Sequence, residues 1–433
     1  MRYFDDIKEK LNKDGFCLLV NNRNPYIANA GTEKYIQIQT DILSSEMDVL
    51  VIFPVTKKYV FTIYGWGVCV NRKFIGVTDE KTLVYLFGDI LKSKNCMGVF
   101  LHHLKWCDTD SLSRILSFTD HIVFYVHDYY TCCIQPNLLK NDEIYCGGAE
   151  LSETKCSDCV YYKESIEHRI KMGKLFKLFD KVDIISPSKI AGDIWSEAYK
   201  EYADKISVID HLIVETLPGK HLSVPLGTNK INVAFVGLGD RVKGWDLWKE
   251  ALAGLSEEEH SEYNFYHFGQ VFESLDNVKK VEVSISRDGP EAMTDKLIEY
   301  GIDSAVLYSI WPETYSYTYF EAMKAGCYII TNNCSGNIAC QVEKNSNGIV
   351  LECTADSLKD LFRNPEKLRE NINRFRYGLG TCDVNIAFNA DFTRYLNKTG
   401  GKEAYQDVKA SKMQFAGLAD ILYRIRYRKE LIE

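Results

Sequence analysis

The sequence lacks the features that mark membrane-spanning, exported and disordered chains. It has no run of 18 or more apolar residues, and its first residues, MRYFDDIKEKLNKDG, contain no apolar stretch of the kind found in signal peptides. Only 9 of its 433 residues are proline, and 46% are hydrophobic. We therefore expect a folded, cytoplasmic protein that is large enough for two domains with separate cores.

An excess of positive charge is also missing. The chain has 52 Lys and Arg residues against 60 Asp and Glu residues, which gives a formal net charge of −8. A negative overall charge does not attract nucleic acid, so we predict no nucleic-acid partner. The 14 cysteines are scattered through both halves of a chain without an export signal. This distribution favours reduced thiols or metal ligands over a disulfide framework.

The stretch 303–337, DSAVLYSIWPETYSYTYFEAMKAGCYIITNNCSGN, shows strand, loop, helix and strand signals in succession. The short apolar run Ser304–Ile310 is typical of a buried parallel strand. Ser316 and Thr318 can cap a following helix, which we expect to stop at Gly326. The start of this helix would lie at the carboxyl end of a parallel strand. Amide N–H groups face an anion there, and a diphosphate would fit.

Two carboxylates, Glu313 and Glu321, lie eight positions apart in this stretch. On one continuous helix they would be separated by about 12 Å of rise, which is more than the roughly 5–9 Å of a glycoside hydrolase pair. Carboxylates accept hydrogen bonds from vicinal hydroxyls, so one in the loop and one in the helix can hold two different sugars of a single ligand. The other interpretation is two solvated surface glutamates.

The same stretch resembles the E-x7-E signature of retaining family-4 glycosyltransferases with the GT-B fold. More narrowly, it resembles the SIWPETYSYT form of bacterial surface-polysaccharide transferases. The resemblance implies an α/β protein in which two Rossmann-like domains face a central cleft. It also implies that Glu321 binds the donor ribose and that Glu313 contacts the donor sugar at the catalytic centre. The residues whose backbone would lie close to the diphosphate are Tyr315, Ser316, Tyr317 and Thr318.

A turn-rich loop in the first domain leads from the predicted strand Phe16–Val20 into the predicted helix Thr32–Leu43, and it ends at Gly31. In the resembling family a glycine loop at this place faces the cleft. Gly31 is therefore interpreted either as part of the acceptor or phosphate wall or as a plain turn between strand and helix.

Histidines follow two other predicted strands of the first domain. His127 follows the strand His121–Val126, so it would face the cleft and could donate a hydrogen bond to a sugar hydroxyl or a phosphate oxygen. The segment 127–130, HDYY, resembles the family's first-domain histidine, which implies that His127 contacts the transferred sugar. The pair His102-His103 ends the preceding predicted strand, Gly98–His103, where it faces the acceptor sugar or forms an ordinary hydrogen-bonded boundary.

The segment Thr131–Cys159 is too long for an ordinary connection in an α/β domain, and it is rich in cysteine. Cys133, Cys146 and the pair Cys156-x-x-Cys159 can supply four thiolates to one structural zinc ion. The alternative is free or partly buried thiols, because a second CxxC pair is missing. Similar cysteines follow the HDYY-like motif in some related surface-polysaccharide transferases.

A glycine-rich loop, GLGDRVKG at 237–244, follows a predicted strand in the second half. Lys243-Gly244 resembles the family's KG pair, whose lysine neutralises the donor diphosphate, and Gly239 lies in the same donor-binding loop. The family's usual arginine is missing five residues earlier, and Arg241 is the candidate to take its place. Cationic side chains are needed because no metal-binding motif for the diphosphate is visible in the sequence.

The segment order predicts two domains and a returning C-terminus. Residues 1–217 form the acceptor domain with the cysteine-rich excursion 131–159, residues 218–395 form the nucleotide-sugar domain, and residues 396–433 form a helical segment that crosses back to the first domain. The linker is Pro218–Lys230, and about six parallel strands are expected in the second sheet. Strands there are predicted at Ile231–Val236, Tyr263–Phe268, Val281–Ile285, Ser304–Ile310 and Cys327–Ile330.

The predicted helix Ser165–Phe179 is basic and amphipathic, with lysines around its apolar positions. Such a helix can touch an anionic membrane surface, which would place the protein at the inner face of the membrane. It can equally pack on the core and leave a solvated basic face.

Taken together, the sequence predicts a retaining, metal-independent hexosyltransferase-type enzyme that needs no cofactor for its chemistry. It would move a sugar from a nucleotide sugar to a glycan or lipid-linked glycan in bacterial surface polysaccharide synthesis, with His127, Lys243 and Glu313 at the catalytic centre. Two alternatives share the fold: a sugar-nucleotide epimerase and a non-catalytic glycan-binding partner. Glu313 and Glu321 together with Lys243 speak against the second.

Overall fold

The computed structural model describes residues 7, 9–28, 30–55, 65–218, 226, 229–270, 273–379, 382–396 and 416–428. These residues form two α/β units, and each is built on a sheet with a parallel core. The predicted α/β fold, with two Rossmann-like domains of the GT-B type, is confirmed.

The first domain contains an eight-stranded sheet and a two-stranded hairpin within the described residues. Its strands are β1 (Gly15–Val20), β2 (Asp48–Val55), β3 (Gly65–Val70), β4 (Lys73–Thr78), β5 (Asn95–Leu101), β6 (His121–Tyr125), β7 (Leu139–Lys140), β8 (Ile144–Tyr145), β9 (Lys181–Ser186) and β10 (Ile206–Val208). The large sheet has the order β10-β9-β6-β5-β1-β2-β3-β4. Its antiparallel pairings within the described residues are β2 with β3 and β3 with β4, so β3 runs against the direction of the other strands. β1 is buried on both faces, as expected for a strand covered by helices on each side.

Helices cover both faces of this sheet. They are α1 (Gly31–Leu43), α2 (Glu80–Ile90), α3 (Thr109–Ile115), α4 (Glu153–Cys156), α5 (Tyr162–Phe176), α6 (Lys189–Ala198) and a 3₁₀ helix (Lys200–Lys205). Asp79, Asp108 and Ser188 accept hydrogen bonds from amides of the first turns of α2, α3 and α6. These caps explain where the three helices begin, because an N-terminal turn needs outside acceptors for its amides.

The second domain has a sheet of six described strands, all parallel, as predicted. The strands are β12 (Ile231–Val236), β13 (Tyr263–Phe268), β14 (Val278–Val281), β15 (Ser304–Val306), β16 (Tyr328–Asn332) and β17 (Gly348–Leu351), in the order β14-β13-β12-β15-β16-β17. The helices are α7 (Trp245–Ala253), α8 (Glu257–Ser261), α9 (Ile285–Asp288), α10 (Ala292–Glu299), α11 (Tyr317–Lys324), α12 (Asn337–Asn345), α13 (Ala355–Phe362) and α14 (Pro365–Leu379), and Arg241–Lys243 forms a 3₁₀ turn.

Two strand predictions in this domain need correction. The predicted strand Val281–Ile285 is wrong, because β14 ends at Val281 and the chain then forms α9. The Asp288 side chain accepts from the Ser284 amide, which favours this turn of helix. The predicted strand Ser304–Ile310 is too long, because β15 ends at Val306. The Ile310 amide donates instead to a carbonyl of the glycine-rich loop.

The two domains are joined by an antiparallel pair, β11 (Leu212–Pro218) and β18 (Cys382–Phe388). The predicted linker Pro218–Lys230 lies mostly outside the described residues.

After β18 the chain packs against the first domain. Phe392 and Tyr395, in the 3₁₀ helix Asp391–Tyr395, join a core cluster of the first sheet, and so does Tyr423 of α15 (Ala416–Arg426). Asp420 of α15 accepts a hydrogen bond from the Val77 amide of β4. No helix of the described residues is long and apolar enough to cross a membrane.

Candidate active site

The loop between β15 and α11 docks onto the ends of first-domain strands. Tyr129 donates its hydroxyl to the Pro312 carbonyl (3.1 Å), and Thr314 donates to the His127 carbonyl (2.7 Å). Ser188 donates to the Thr314 carbonyl (2.8 Å). This loop therefore forms one wall of a cleft between the domains, at the carboxyl ends of both sheets, where open α/β sheets bind ligands.

The cleft has a volume of about 490 Å³, and most of the residues predicted from the sequence line it. These residues are Gly31, His127, Lys243, Glu313, Tyr315, Ser316, Tyr317, Thr318 and Glu321. Gly239 and Arg241 are not among the lining residues. A side chain at Gly239 would meet the rings of His267 and Trp245, and Arg241 lies exposed on the 3₁₀ turn. The structure therefore places neither of these two at the cleft wall.

Glu313 and Lys243, which both line the cleft, form an ion pair. Lys243 Nζ lies 2.8 Å from Glu313 Oε1, and Ser309 Oγ donates to the same carboxylate. The Glu313 side chain is only 3% exposed, so its charge is held by these two partners. Gly244 makes this approach feasible. It has φ 83°, and a Cβ there would lie 2.1 Å from the Tyr308 carbonyl oxygen, so only glycine fits.

The backbone of Glu313 is fixed by a second close contact. The Asn337 amide donates to the Glu313 carbonyl (2.9 Å). Gly336 has φ 59°, and a Cβ there would lie within 2.5–2.7 Å of Pro312 and the Glu313 amide nitrogen. The loop that carries Glu313 and the start of α12 are thus packed backbone to backbone.

Glu321 forms a contact across the cleft that the sequence analysis missed. Lys34 Nζ of α1 lies 3.4 Å from Glu321 Oε1 and 4.8 Å from the centre of the Tyr317 ring. Burial raises the pKa of Glu321, and Lys34 partly opposes this shift. The carboxylate recognised in the sequence therefore faces a cation from the other domain.

The start of α11 differs from the predicted cap. Within the described structure the Ser316 side chain caps no amide of α11, and its hydroxyl lies 2.9 Å from that of Thr318 instead. The prediction that Ser316 and Thr318 cap this helix is therefore wrong. Helix amides without a side-chain cap, together with the helix dipole, favour an anion at this position.

His127 is fixed by His102, a contact between two strand ends. His102 Nδ1 and His127 Nε2 are 3.0 Å apart. Burial lowers the pKa of His127 to about 3 and holds that of His102 well below its usual range, so both rings are neutral at pH 7. His102 Nε2 is buried with no hydrogen-bond partner among the described residues.

Buried N–H groups without a partner are rarer in proteins than buried acceptors without one, which indicates that the unpaired N–H costs more free energy. We therefore assign the His102 proton to Nδ1, which donates to His127 Nε2. His127 then carries its own proton on Nδ1, where it can serve as a donor.

Several further polar groups line the cleft. His103 Nε2 lies 2.7 Å from Asp128 Oδ2. Burial opposes ionisation of Asp128, but His103 and the Tyr130 amide bring its pKa below the usual value. His211 Nε2 and Trp311 Nε1 are buried cleft atoms without a hydrogen-bond partner in the described part of the chain. No role was predicted for His211 from the sequence.

The four cysteines of the predicted zinc site lie away from the cleft, around a separate small cavity of about 20 Å³. They are Cys133, Cys146, Cys156 and Cys159. Cys133 Sγ lies 3.2 Å from Ser165 Oγ, and Cys146 Sγ lies 3.3 Å from the Gly148 carbonyl. No three His, Cys, Asp or Glu side chains of the described residues are grouped so that they could hold a metal ion. The zinc site stays a prediction.

Comparisons with known proteins gave matches to solved structures and to one family model. No curated protein matches the sequence significantly. HepE from Anabaena in complex with UDP is 12% identical, and the match covers 84% of this chain and 94% of the HepE chain, with a TM-score of 0.48. A glycosyltransferase from Rickettsia africae is 14% identical, covers 85% and 92%, and has a TM-score of 0.48. WaaG, a glycosyltransferase involved in lipopolysaccharide biosynthesis, is 11% identical, covers 84% and 93%, and has a TM-score of 0.46.

The family match is confined to the second domain. It covers residues 221–377, which include the six parallel strands and the helix α11. Lys243, Glu313 and Glu321 all lie inside this range. This domain of the chain thus matches the family described as Glycosyl transferases group 1.

Proposed function

We propose that the protein is a glycosyltransferase that binds a nucleotide sugar in the interdomain cleft and moves its sugar to a hydroxyl group of a glycan acceptor. The observation that carries the proposal is the meeting of Lys243, Glu313 and Glu321 of the second domain with His127 of the first domain in one cleft. The match of residues 221–377 to group 1 glycosyl transferases supports it.

Each part of the donor has a chemically suitable partner in the cleft. The ribose hydroxyls donate to Glu321, whose carboxylate accepts charge-assisted hydrogen bonds. The diphosphate lies between Lys243 and the first amides of α11, where both positive groups favour an anion. Lys34, which pairs with Glu321 in this structure, lies on the first domain and borders the ribose site from that side of the cleft.

The transferred sugar lies between Glu313 and His127. Glu313 accepts from sugar hydroxyls, and His127 Nδ1–H donates to a hydroxyl oxygen of the transferred sugar. Because Glu313 also holds Lys243, binding of the diphosphate near Lys243 and binding of the sugar near Glu313 are coupled through one ion pair. This arrangement positions the anomeric carbon beside the leaving phosphate.

The chemical step breaks the bond between the anomeric carbon and the phosphate oxygen, and the departing nucleoside diphosphate keeps the electron pair. Lys243 and the α11 amides stabilise the charge that develops on it. The acceptor oxygen forms the new bond to the anomeric carbon, and its proton passes to the departing phosphate oxygen. No covalent intermediate with the protein is part of this proposal.

We extend the proposal to retention at the anomeric carbon, a hexosyl donor, and a lipid-linked intermediate of a bacterial surface polysaccharide as acceptor. These parts rest on the resemblance of SIWPETYSYT to surface-polysaccharide transferases. We place the reaction in the cytoplasm, at the inner face of the membrane that would hold such an acceptor.

The test is a thermal-shift screen of nucleotide sugars, followed by incubation of each stabilising donor with and without synthetic diphosphate-linked glycolipids. We expect nucleoside diphosphate release in step with a new glycoside whose anomeric configuration matches that of the donor. Isomerised nucleotide sugar in the absence of acceptor would contradict transfer and identify an epimerase. Glycan binding without donor binding would identify a glycan-binding partner.

A further inference from the structure

The outer face of α5 exposes apolar side chains to solvent, and so do the residues next to it. Ile166 and Ile170 of α5 are 39% and 53% exposed. Val160, before the helix, is 75% exposed, and Leu178, after it, is 53% exposed. Single exposed apolar residues are ordinary, but four within 19 residues on and around one helix form a recurring pattern.

Lysines alternate with these apolar residues. Lys163, Lys171, Lys174 and Lys177 are all exposed, and none has a hydrogen-bond or ion-pair partner in the part of the chain that the structure describes. Many lysines elsewhere are paired, as Lys140 is with Asp158. The segment 160–178 holds five basic and two acidic residues, in a chain whose net charge is −8. Its positive charge is thus local and is not neutralised by the protein.

The inner face of α5 holds the segment that follows His127. His168 Nε2 lies 2.5 Å from the Tyr130 carbonyl, and Arg169 donates to the Cys132 carbonyl (2.8 and 3.0 Å). Ser165 Oγ accepts from the Ile134 amide (3.3 Å). One face of α5 therefore contacts the segment 130–134, which follows His127, and the opposite face exposes the apolar and basic side chains.

We propose that the outer face of α5 is a docking surface for an anionic lipid bilayer. Exposed isoleucines enter the boundary between headgroups and acyl chains, while lysine stems lie along it and their ammonium groups meet lipid phosphates. Each lysine near such a surface attracts anionic lipid, and salt screens this attraction. Residues 160–178 form this docking face.

A bilayer fits this face better than a second protein does. Cores of protein interfaces are depleted in lysine, whereas lysine is interspersed with the exposed apolar side chains here. Basic amphipathic helices that lie on membranes combine these two residue types. The proposal that the acceptor is lipid-linked rests on the proposed function, but the docking itself does not.

The test uses the full chain and vesicles without added donor or acceptor. We expect co-sedimentation with vesicles of phosphatidylglycerol and phosphatidylethanolamine at least tenfold tighter than with phosphatidylcholine vesicles, and a marked loss at high salt. The combined change of Lys163, Lys171, Lys174 and Lys177 to Gln should weaken binding at least tenfold. Ile166→Ser with Ile170→Ser should weaken it severalfold at low salt. Because all of these side chains are exposed, the melting temperatures should stay close to that of the wild type.

The matched control is Ile421→Ser with Ile425→Ser on α15, where the two side chains are 55% and 66% exposed. This variant should bind vesicles as the wild type does. Equal loss in both isoleucine variants, or no preference for anionic vesicles, would overturn the docking face. Self-association that the docking-face variants abolish, measured by sedimentation velocity without lipid, would assign the face to a second copy instead.

Failure of docking is separable from failure of the proposed function. The docking-face variants should keep wild-type affinity for the nucleoside diphosphate and wild-type transfer to a short-tailed acceptor in solution. A chain that binds vesicles but no nucleotide would leave the docking face intact and contradict the glycosyltransferase proposal.

Discussion

Replacing Glu321 by glutamine removes a negative charge from the cleft and keeps the length of the side chain. The carboxylate is 15% exposed and lies 3.4 Å from Lys34. In the proposed complex it accepts hydrogen bonds from the ribose. The variant therefore tests one contact between one side chain and one part of the donor.

The expected loss follows from the kind of hydrogen bond removed. Charge-assisted bonds contribute about 1–3 kcal/mol, so Glu321→Gln should weaken nucleoside diphosphate binding roughly 5- to 150-fold. The pair with Lys34 is partly exposed, so its own loss should cost at most about 1 kcal/mol. Glu313→Gln should not weaken binding of the bare nucleoside diphosphate, because Glu313 is proposed to contact the sugar and the change leaves Lys243 free to bind the diphosphate.

The assay is titration calorimetry with a nucleoside diphosphate and with its 2′,3′-dideoxy analogue. In the wild type the ribose hydroxyls should improve affinity, and in Glu321→Gln this improvement should disappear. Lys34→Met is the control, since it breaks the ion pair but should keep the improvement. Equal losses for Glu313→Gln and Glu321→Gln, or a loss that is the same with the dideoxy ligand, would refute the assignment of Glu321 to the ribose.

Other consequences concern the histidine, the pH dependence, a glycine and the thiols. His127→Ala should lower kcat/KM about 100-fold while nucleoside diphosphate affinity stays within twofold. In the wild type, kcat/KM should show no inflection near pH 6.5, because the pKa of His127 is about 3. Burial raises the pKa of Glu321, so nucleotide affinity should fall as the pH is lowered through a range above that of an ordinary carboxyl, and in Glu321→Gln this fall should be absent. Gly244→Ala should destabilise the protein by about 2 kcal/mol or more in denaturant unfolding, since its Cβ would meet the Tyr308 carbonyl at a positive φ. If the four cysteines of the excursion share a zinc ion, metal analysis should give about one ion per chain, and Cys156→Ser should lower both the metal content and the melting temperature. A metal-free protein whose Cys156→Ser variant melts at the same temperature would show that the four cysteines are ordinary reduced thiols.

The second sheet was predictable because its signals are local. Short apolar runs predicted β12, β13 and β16 to within a few residues. Gly326 lies just past the end of α11 with φ 74°, a left-handed conformation that glycine adopts without strain. The edge strand β14 was misplaced because its exposed residues Lys279 and Lys280 do not resemble a buried strand.

The cleft contacts could be predicted only in part. Glu313 and Lys243 were recognised separately, but their ion pair joins positions 70 residues apart. Lys34 lies 287 residues from Glu321 and on the other domain, so no local pattern connects them. Arg241 was favoured on charge alone, but it lies exposed on a short 3₁₀ turn and is not among the residues that line the cleft. Contacts of this kind depend on how the two domains meet, which residue spacing does not encode.

The most direct measurement is a crystal structure of the protein with its nucleotide-sugar donor bound. The account predicts the ribose hydroxyls within hydrogen-bond distance of Glu321, the diphosphate beside Lys243 and the start of α11, and the sugar between Glu313 and His127. A donor bound outside the interdomain cleft, or bound in it with the ribose away from Glu321 and the diphosphate away from Lys243, would contradict the account.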